Sequence, residues 1–163
     1  IKIIIPITIF FIFIDFSRHH VEKIKKTYLY FFNKVTRKIE NKKNTFTGAT
    51  YYLLGCSSVL ILFDNNEVII ASLLIMSISD SFAAMVGIKF GETKIYNKKS
   101  LEGSFSFFIS AFIILVFFAS SLSLFASILI AFFSTLVELF SYHRLNDNIT
   151  VPICSAILIQ YLI

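Results

Sequence analysis

The sequence predicts an all-α, polytopic integral membrane protein with about six transmembrane helices and a basic amphipathic cytoplasmic helix. Three observations predict it. The chain of 163 residues is 56% hydrophobic, with 20 Phe and a mean hydropathy of +0.79. Only 15% of it is charged, against about a quarter in a soluble domain. The charges also cluster, leaving long apolar runs between them.

A membrane-spanning helix needs about 20 mostly apolar residues, with about 17 as a lower limit. The runs that qualify, or nearly so, are 1–16, 48–63, 67–88, 104–120, 122–140 and 149–163. The first and last are short, as truncation would make them. The chain opens on Ile1 inside apolar sequence, and an N-terminal truncation is expected. The opening run has only Lys2 as a basic flank and no small-residue cleavage site, so it does not read as a signal peptide. The run from Phe105 to Phe140 is too long for one span and is divided at Ser120-Ser121.

Charge placement tests this division. Lys and Arg gather in 18–43, 89–99 and at Arg144, whereas the connections at 64–67 and 120–123 contain none. Alternating spans put every basic loop on one side, which the positive-inside rule makes cytoplasmic. The net charge of +5 is thereby explained by loops, and a nucleic-acid face is not indicated.

Residues 18–40 differ from the spans. Val21, Ile24, Tyr28, Phe31, Val35 and Ile39 recur at three- and four-residue steps. Lys23, Lys25, Lys26, Lys34, Arg37 and Lys38 fill most of the rest. That pattern fits a basic helix in the headgroup layer, or one packed on other cytoplasmic elements. Residues 1–163 are read as a single membrane-embedded domain, with 89–104 as a cytoplasmic loop.

Few residues can carry chemistry. Asp80 lies in the third span, about 15 Å of helix from its cytoplasmic end. A carboxylate at that depth is costly and marks a functional site by default. Asp15, Glu102, Glu138 and Asp147 favour the same half. Converging carboxylates suit Mg²⁺, which prefers oxygen ligands and shares them with substrate phosphates; one carboxylate could instead take a proton from a lipid hydroxyl. The alternative is pairing with basic groups at helix ends, as for Asp15 with Arg18.

Lys98, Lys99, Ser100, Gly103 and Ser104 precede the fourth span. Lysines, hydroxyls and a helix N-terminus suit a nucleotide's phosphates. The plainer alternative is a basic turn with Ser100 or Ser104 as N-cap and Glu102 as a first-turn acid. Gly87 and Gly91 form a GxxxG spacing that often marks close helix contact. Thr47-Gly48-Ala49-Thr50 opens the second span as a possible N-cap. His19, His20 and His143 have no metal-ligand spacing. Cys56 and Cys154 lie in apolar runs and read as structural thiols. There is no GxSxG, P-loop or HExxH.

Taken in order, TGATYYLLG, SISDSFAAMVGIKFG, NKKSLEGS and Glu138 followed by DNITVP resemble the membrane family of dolichol kinase, phytol kinase and CTP-dependent diacylglycerol kinase. Asp15-x-x-Arg18 and Arg37-x-x-Glu40 fit its upstream pattern. The middle segment is also similar to phosphatidate cytidylyltransferases. One departure is Ser79, where the motif usually has Gly. The resemblance implies an all-helical enzyme that uses CTP and a divalent metal such as Mg²⁺. Asp80 would be a catalytic or metal carboxylate, with Glu102 catalytic beside it. Lys98, Lys99, Ser100, Gly103, Ser104, Gly87 and Gly91 would serve the nucleotide, with Thr47, Gly48 and Thr50 lining the site. Glu138 and Asp147 would add metal oxygens, and Asn148 a polar contact. The reaction implied is phosphoryl transfer from CTP to a membrane lipid alcohol (polyprenol, phytol or diacylglycerol), facing the cytoplasm. CDP-lipid synthesis is the alternative, and a non-enzymatic transporter or scaffold is a second.

Overall fold

The computed structural model describes residues 3–23, 26, 28, 30, 46–96, 99–141 and 146–163. Most of the expected amphipathic helix at 18–40, together with Lys98 and His143, lies outside these. The described elements form two compact units, Ile1–Ser57 and Ser58–Ile163.

In the first unit, α1 (Ile4–His20) and the opening of α2 (Gly48–Leu62) are apolar helices. Their few polar side chains bond to one another. Thr8 donates to the Ile4 carbonyl at 2.9 Å and meets the Ser57 hydroxyl at 2.7 Å. In an apolar setting an unsatisfied hydroxyl costs more than the bond itself contributes, so such pairs fix which helix faces meet.

The second unit is a ring of four helical rods. The first runs through α3 (Asn66–Leu74), a π turn (Ile75–Ser79) and α4 (Asp80–Phe90). The others are α5 (Leu101–Phe118), α6 (Leu124–Phe140) and α7 (Asp147–Leu162). α4 packs on α5, α5 on α6, α6 on α7, and α7 back on α3. Phe107, Ile75, Leu115, Ile130 and Ile159 fill the centre. Ala71, Ala111, Ala131, Ala156, Ser72 and Ser155 are fully buried between rods, where small residues let helix backbones approach closely.

The outside is apolar as well. Ile88, Phe105, Phe117, Phe125 and Phe132 are all exposed, far beyond the scattered apolar residues of a soluble surface. Two rods, Asn66–Phe90 and Leu101–Phe118, are long and apolar enough to cross a membrane; Gly48–Leu62, Leu124–Phe140 and Asp147–Leu162 are apolar but shorter.

The two ends of the second unit differ. At one end Glu67 accepts from the Ser120 hydroxyl and the Ser121 amide, each at 3.1 Å. This joins the two connections that carry no basic residue. At the other end the α4–α5 connection folds into a hairpin of β1 (Lys94–Tyr96) and β2 (Lys99–Ser100), where the sequence reading has only a loop. Thr93-Lys94-Ile95-Tyr96 is rich enough in strand formers to explain it.

Candidate functional site

Asp80 begins α4 directly after the π turn. A π turn is rare, widens the backbone by one residue and clusters at functional positions. Here Ile75, Met76 and Ser79 of the turn and Ala83 of α4 are all buried. Asp80 itself is half-buried. Ser79 is fully buried, and its hydroxyl has no hydrogen-bond partner among the described residues.

The glycines explain how closely α4 and α5 approach. A methyl group on Gly103 would lie 2.9 Å from the Ala83 carbonyl oxygen and 3.3 Å from the Gly87 Cα. One on Gly91 would lie 2.2 Å from the Gly87 carbonyl oxygen and 2.6 Å from the Ser100 hydroxyl. Gly87, Gly91 and Gly103 therefore form a backbone-to-backbone contact centred on Ser100. Ser100 is also the N-cap of α5, accepting from the Gly103 amide at 3.2 Å. Glu102 turns back and accepts from the Thr93 amide at 3.1 Å, while the Leu101 amide donates to the Thr93 carbonyl at 2.8 Å. These contacts close the hairpin onto the start of α5. The Ser104 hydroxyl is buried without a partner among the described residues.

Lys99 leaves the hairpin toward the C-terminal end of α6. Its ammonium lies 2.6 Å from Glu138 Oε1 and 3.8 Å from Asp147 Oδ2, and it also donates to the Glu138 main-chain carbonyl. Tyr96 packs edge-on against Phe140, ring centroids 5.8 Å apart. Glu138 is 5% exposed, and its Oε2 has no hydrogen-bond partner among the described residues. Asn146 caps α7, so Asp147 and Asn148 lie in its first turn. Among the described residues no three carboxylates, histidines or cysteines gather closely enough to hold a metal ion. Asp80 thus does not join Glu138 and Asp147 in one three-carboxylate set.

In the first unit, Asp15 is the centre of a closed polar group. Its Oδ2 accepts from the Thr47 amide at 2.7 Å, the Thr47 hydroxyl at 3.0 Å and the Thr50 hydroxyl at 2.6 Å. Its Oδ1 lies 3.1 Å from Arg18 Nε. Asp15 is 2% and Arg18 3% exposed. The Arg18 guanidinium also stacks over Tyr28, 5.0 Å from the ring centroid. Thr47 and Thr50, expected to line a nucleotide site, here hold a carboxylate, and Gly48 opens α2 beside them. The sequence shows the Asp15–Arg18 spacing but not the threonines, because they lie more than thirty residues further on.

No family model matches the chain, and no solved structure matches it. An uncharacterized protein of Rickettsia prowazekii is 39% identical over 154 residues, covering 90% of this chain and 74% of that protein. CTP-dependent diacylglycerol kinase 1 of Schizosaccharomyces pombe is 38% identical over 72 residues, 43% of this chain and 33% of that protein. A probable chloroplastic phytol kinase of Glycine max is 43% identical over 70 residues, 41% of this chain and 24% of that protein.

Proposed function

The chain belongs to the same family as the uncharacterized protein of Rickettsia prowazekii, and we propose that it is a CTP-dependent lipid kinase of the membrane, with its reacting centre at the cytoplasmic face. The observation that carries the reading is Asp80, half-buried directly after a π turn in a membrane-length rod. The local likeness to a CTP-dependent diacylglycerol kinase and a phytol kinase supports it.

In this reading the acceptor is a lipid alcohol. Its oxygen forms a bond to the γ-phosphorus of CTP as the bond to the β–γ bridging oxygen breaks, and CDP leaves. Asp80 takes the hydroxyl proton. Phosphoryl transfer depends on in-line placement and charge stabilisation more than on covalent help from the protein. The hairpin, its Ser100 cap and the N-terminus of α5 would meet the phosphates, since free amides and the positive end of the helix favour an anion. Glu102 would keep the hairpin shut. A divalent ion needs only one or two carboxylates when phosphates supply the other oxygens, and Glu138 and Asp147 already converge on one cationic group. Such an ion would neutralise charge on the transferring phosphates.

The test uses full-length protein in detergent with Mg²⁺, a mixed lipid extract, and CTP labelled at either the α- or the γ-phosphorus. γ-Label in the lipid fraction is expected, and Asp80→Asn should abolish it while leaving membrane insertion intact. α-Label in lipid with pyrophosphate release would replace the reading with CDP-lipid synthesis. No transfer of either label would end the enzyme reading.

A further inference from the structure

We propose that Lys99 is the resident counter-ion of a divalent-cation site formed by Glu138 and Asp147, and that the arriving cation displaces its ammonium, freeing it for the nucleotide's phosphates. The inference rests on the kinase reading for the nucleotide, but its cation step does not need turnover.

Three features make this position a cation site. First, it is built of oxygen. The Glu138 carboxylate, the Glu138 main-chain carbonyl and the Asp147 carboxylate all face one ammonium group. Carboxylate and carbonyl oxygens are the donors that hard divalent cations take. Second, it has an unused oxygen. Glu138 is 5% exposed, yet its Oε2 has no hydrogen-bond partner among the described residues. A desolvated carboxylate oxygen without a donor is expensive to keep, and a cation shared by both oxygens would remove that cost. Third, the position is at the C-terminal end of α6, where the last carbonyls and the negative end of the helix dipole favour positive charge; no basic residue of α6 itself occupies its last turn.

Charge then points to a dication. The described set of Lys99, Glu138 and Asp147 sums to −1. A divalent ion in place of the ammonium brings the two carboxylates to zero. The displaced ammonium has a flexible four-carbon stem, and it sits at 26% exposure on the last strand before α5. It can therefore change partners without moving the hairpin. Two carboxylates alone make an incomplete shell, so the ion should bind best together with phosphates. Until then Lys99 keeps a buried carboxylate neutralised.

The test is Mn²⁺ binding, followed by electron paramagnetic resonance, to the full chain in detergent without nucleotide. Lys99→Met should bind Mn²⁺ at least about tenfold more tightly than the parent, because the ion no longer has to displace an ammonium from the same oxygens. Adding Glu138→Gln to Lys99→Met should remove the gain. Equal or weaker binding by Lys99→Met, or a gain that survives Glu138→Gln, would overturn the proposal. Because Lys99→Met leaves a buried carboxylate unpaired, a second measurement uses the unaltered protein. Acetylation of Lys99 by acetic anhydride, read by mass spectrometry, should speed up when Mn²⁺ is added and return to baseline with chelator. A rate indifferent to Mn²⁺ would also overturn it. Label transfer from CTP, measured on the same preparations, decides the kinase reading separately.

Discussion

The α4–α5 contact makes a ranked prediction. Ala substitutions at Gly91, Gly103 and Gly87 should destabilise the second unit in that order, with Gly87→Ala close to neutral. At Gly103 the added methyl would meet the Ala83 carbonyl oxygen at 2.9 Å, where ordinary contact begins at about 3.5 Å. Main chain on the neighbouring helix must therefore yield by about half an ångström. Overpacking of that kind costs about 1–3 kcal/mol, and removing a helical Gly returns at most about 1 kcal/mol. With that gain taken in full, the net loss is about 0–2 kcal/mol. At Gly87 the nearest atom is the Ser100 hydroxyl at 3.2 Å, and the Gly103 Cα is 3.8 Å away. A side-chain hydroxyl can shift, and the helix-propensity gain of about 1 kcal/mol offsets the crowding. At Gly91 three atoms lie within 2.9 Å, one of them the Gly87 carbonyl oxygen at 2.2 Å, and no small adjustment relieves that. Thermal unfolding in detergent can be followed with a thiol-reactive fluorophore, since Cys56 is buried and Cys154 half-buried. If the kinase reading holds, activity adds a second readout: Ala83 lies one turn from Asp80, so Gly103→Ala should lower kcat as well as stability. If Gly87→Ala is as damaging as Gly103→Ala, or Gly103→Ala is silent, the close backbone contact is wrong.

Three further substitutions test the Asp15 group and the α5 cap. Asp15→Asn should cost about 3–5 kcal/mol, because it leaves the buried Arg18 without its counter-charge. Thr50→Val, which removes one bond to the same carboxylate, should cost about 1.5–3 kcal/mol in the same unfolding assay. Ser100→Ala should cost about 1 kcal/mol through loss of the α5 cap, and its effect on turnover should be mainly a raised KM for CTP if the capped hairpin meets the nucleotide.

Much of the helical plan was legible because it rests on run length and charge alone. The runs 48–63, 67–88, 104–120, 122–140 and 149–163 each coincide with a helical rod to within a few residues. The break at Ser120-Ser121 is a turn, and Glu67 binds it. Placing both non-basic connections on one side was an inference from charge, and this bond joins them physically. At the opposite end, Lys99 joins the hairpin to Glu138 and Asp147. What periodicity could not supply was the π turn, since a single inserted residue leaves no pattern in a uniformly apolar stretch. Long-range partners were equally hidden: Lys99 and Glu138 are 39 residues apart, and spacing within a helix carries no information about them.

The polar residues of the chain divide by whether their bonding is complete. In an apolar medium an unpaired polar group is costly, so polar motif residues satisfy one another before any substrate arrives. Both Asp15 carboxylate oxygens are engaged, Oδ2 by three hydrogen bonds from Thr47 and Thr50 and Oδ1 by the ion pair with Arg18. A ligand there would have to break bonds already made, and the group is best understood as a fastener between α1 and the start of α2. The Glu138 group is less complete, with one buried carboxylate oxygen unmatched among the described residues and Lys99 as its main partner. Ser79 and Ser104 likewise keep buried hydroxyls without partners among the described residues, one beside Asp80 and the other in the first turn of α5. A folded chain tolerates such open valences where something else completes them. As they stand here, Thr47 and Thr50 hold a carboxylate, whereas Glu138 Oε2 and the Ser79 hydroxyl are buried groups that the proposed site would complete.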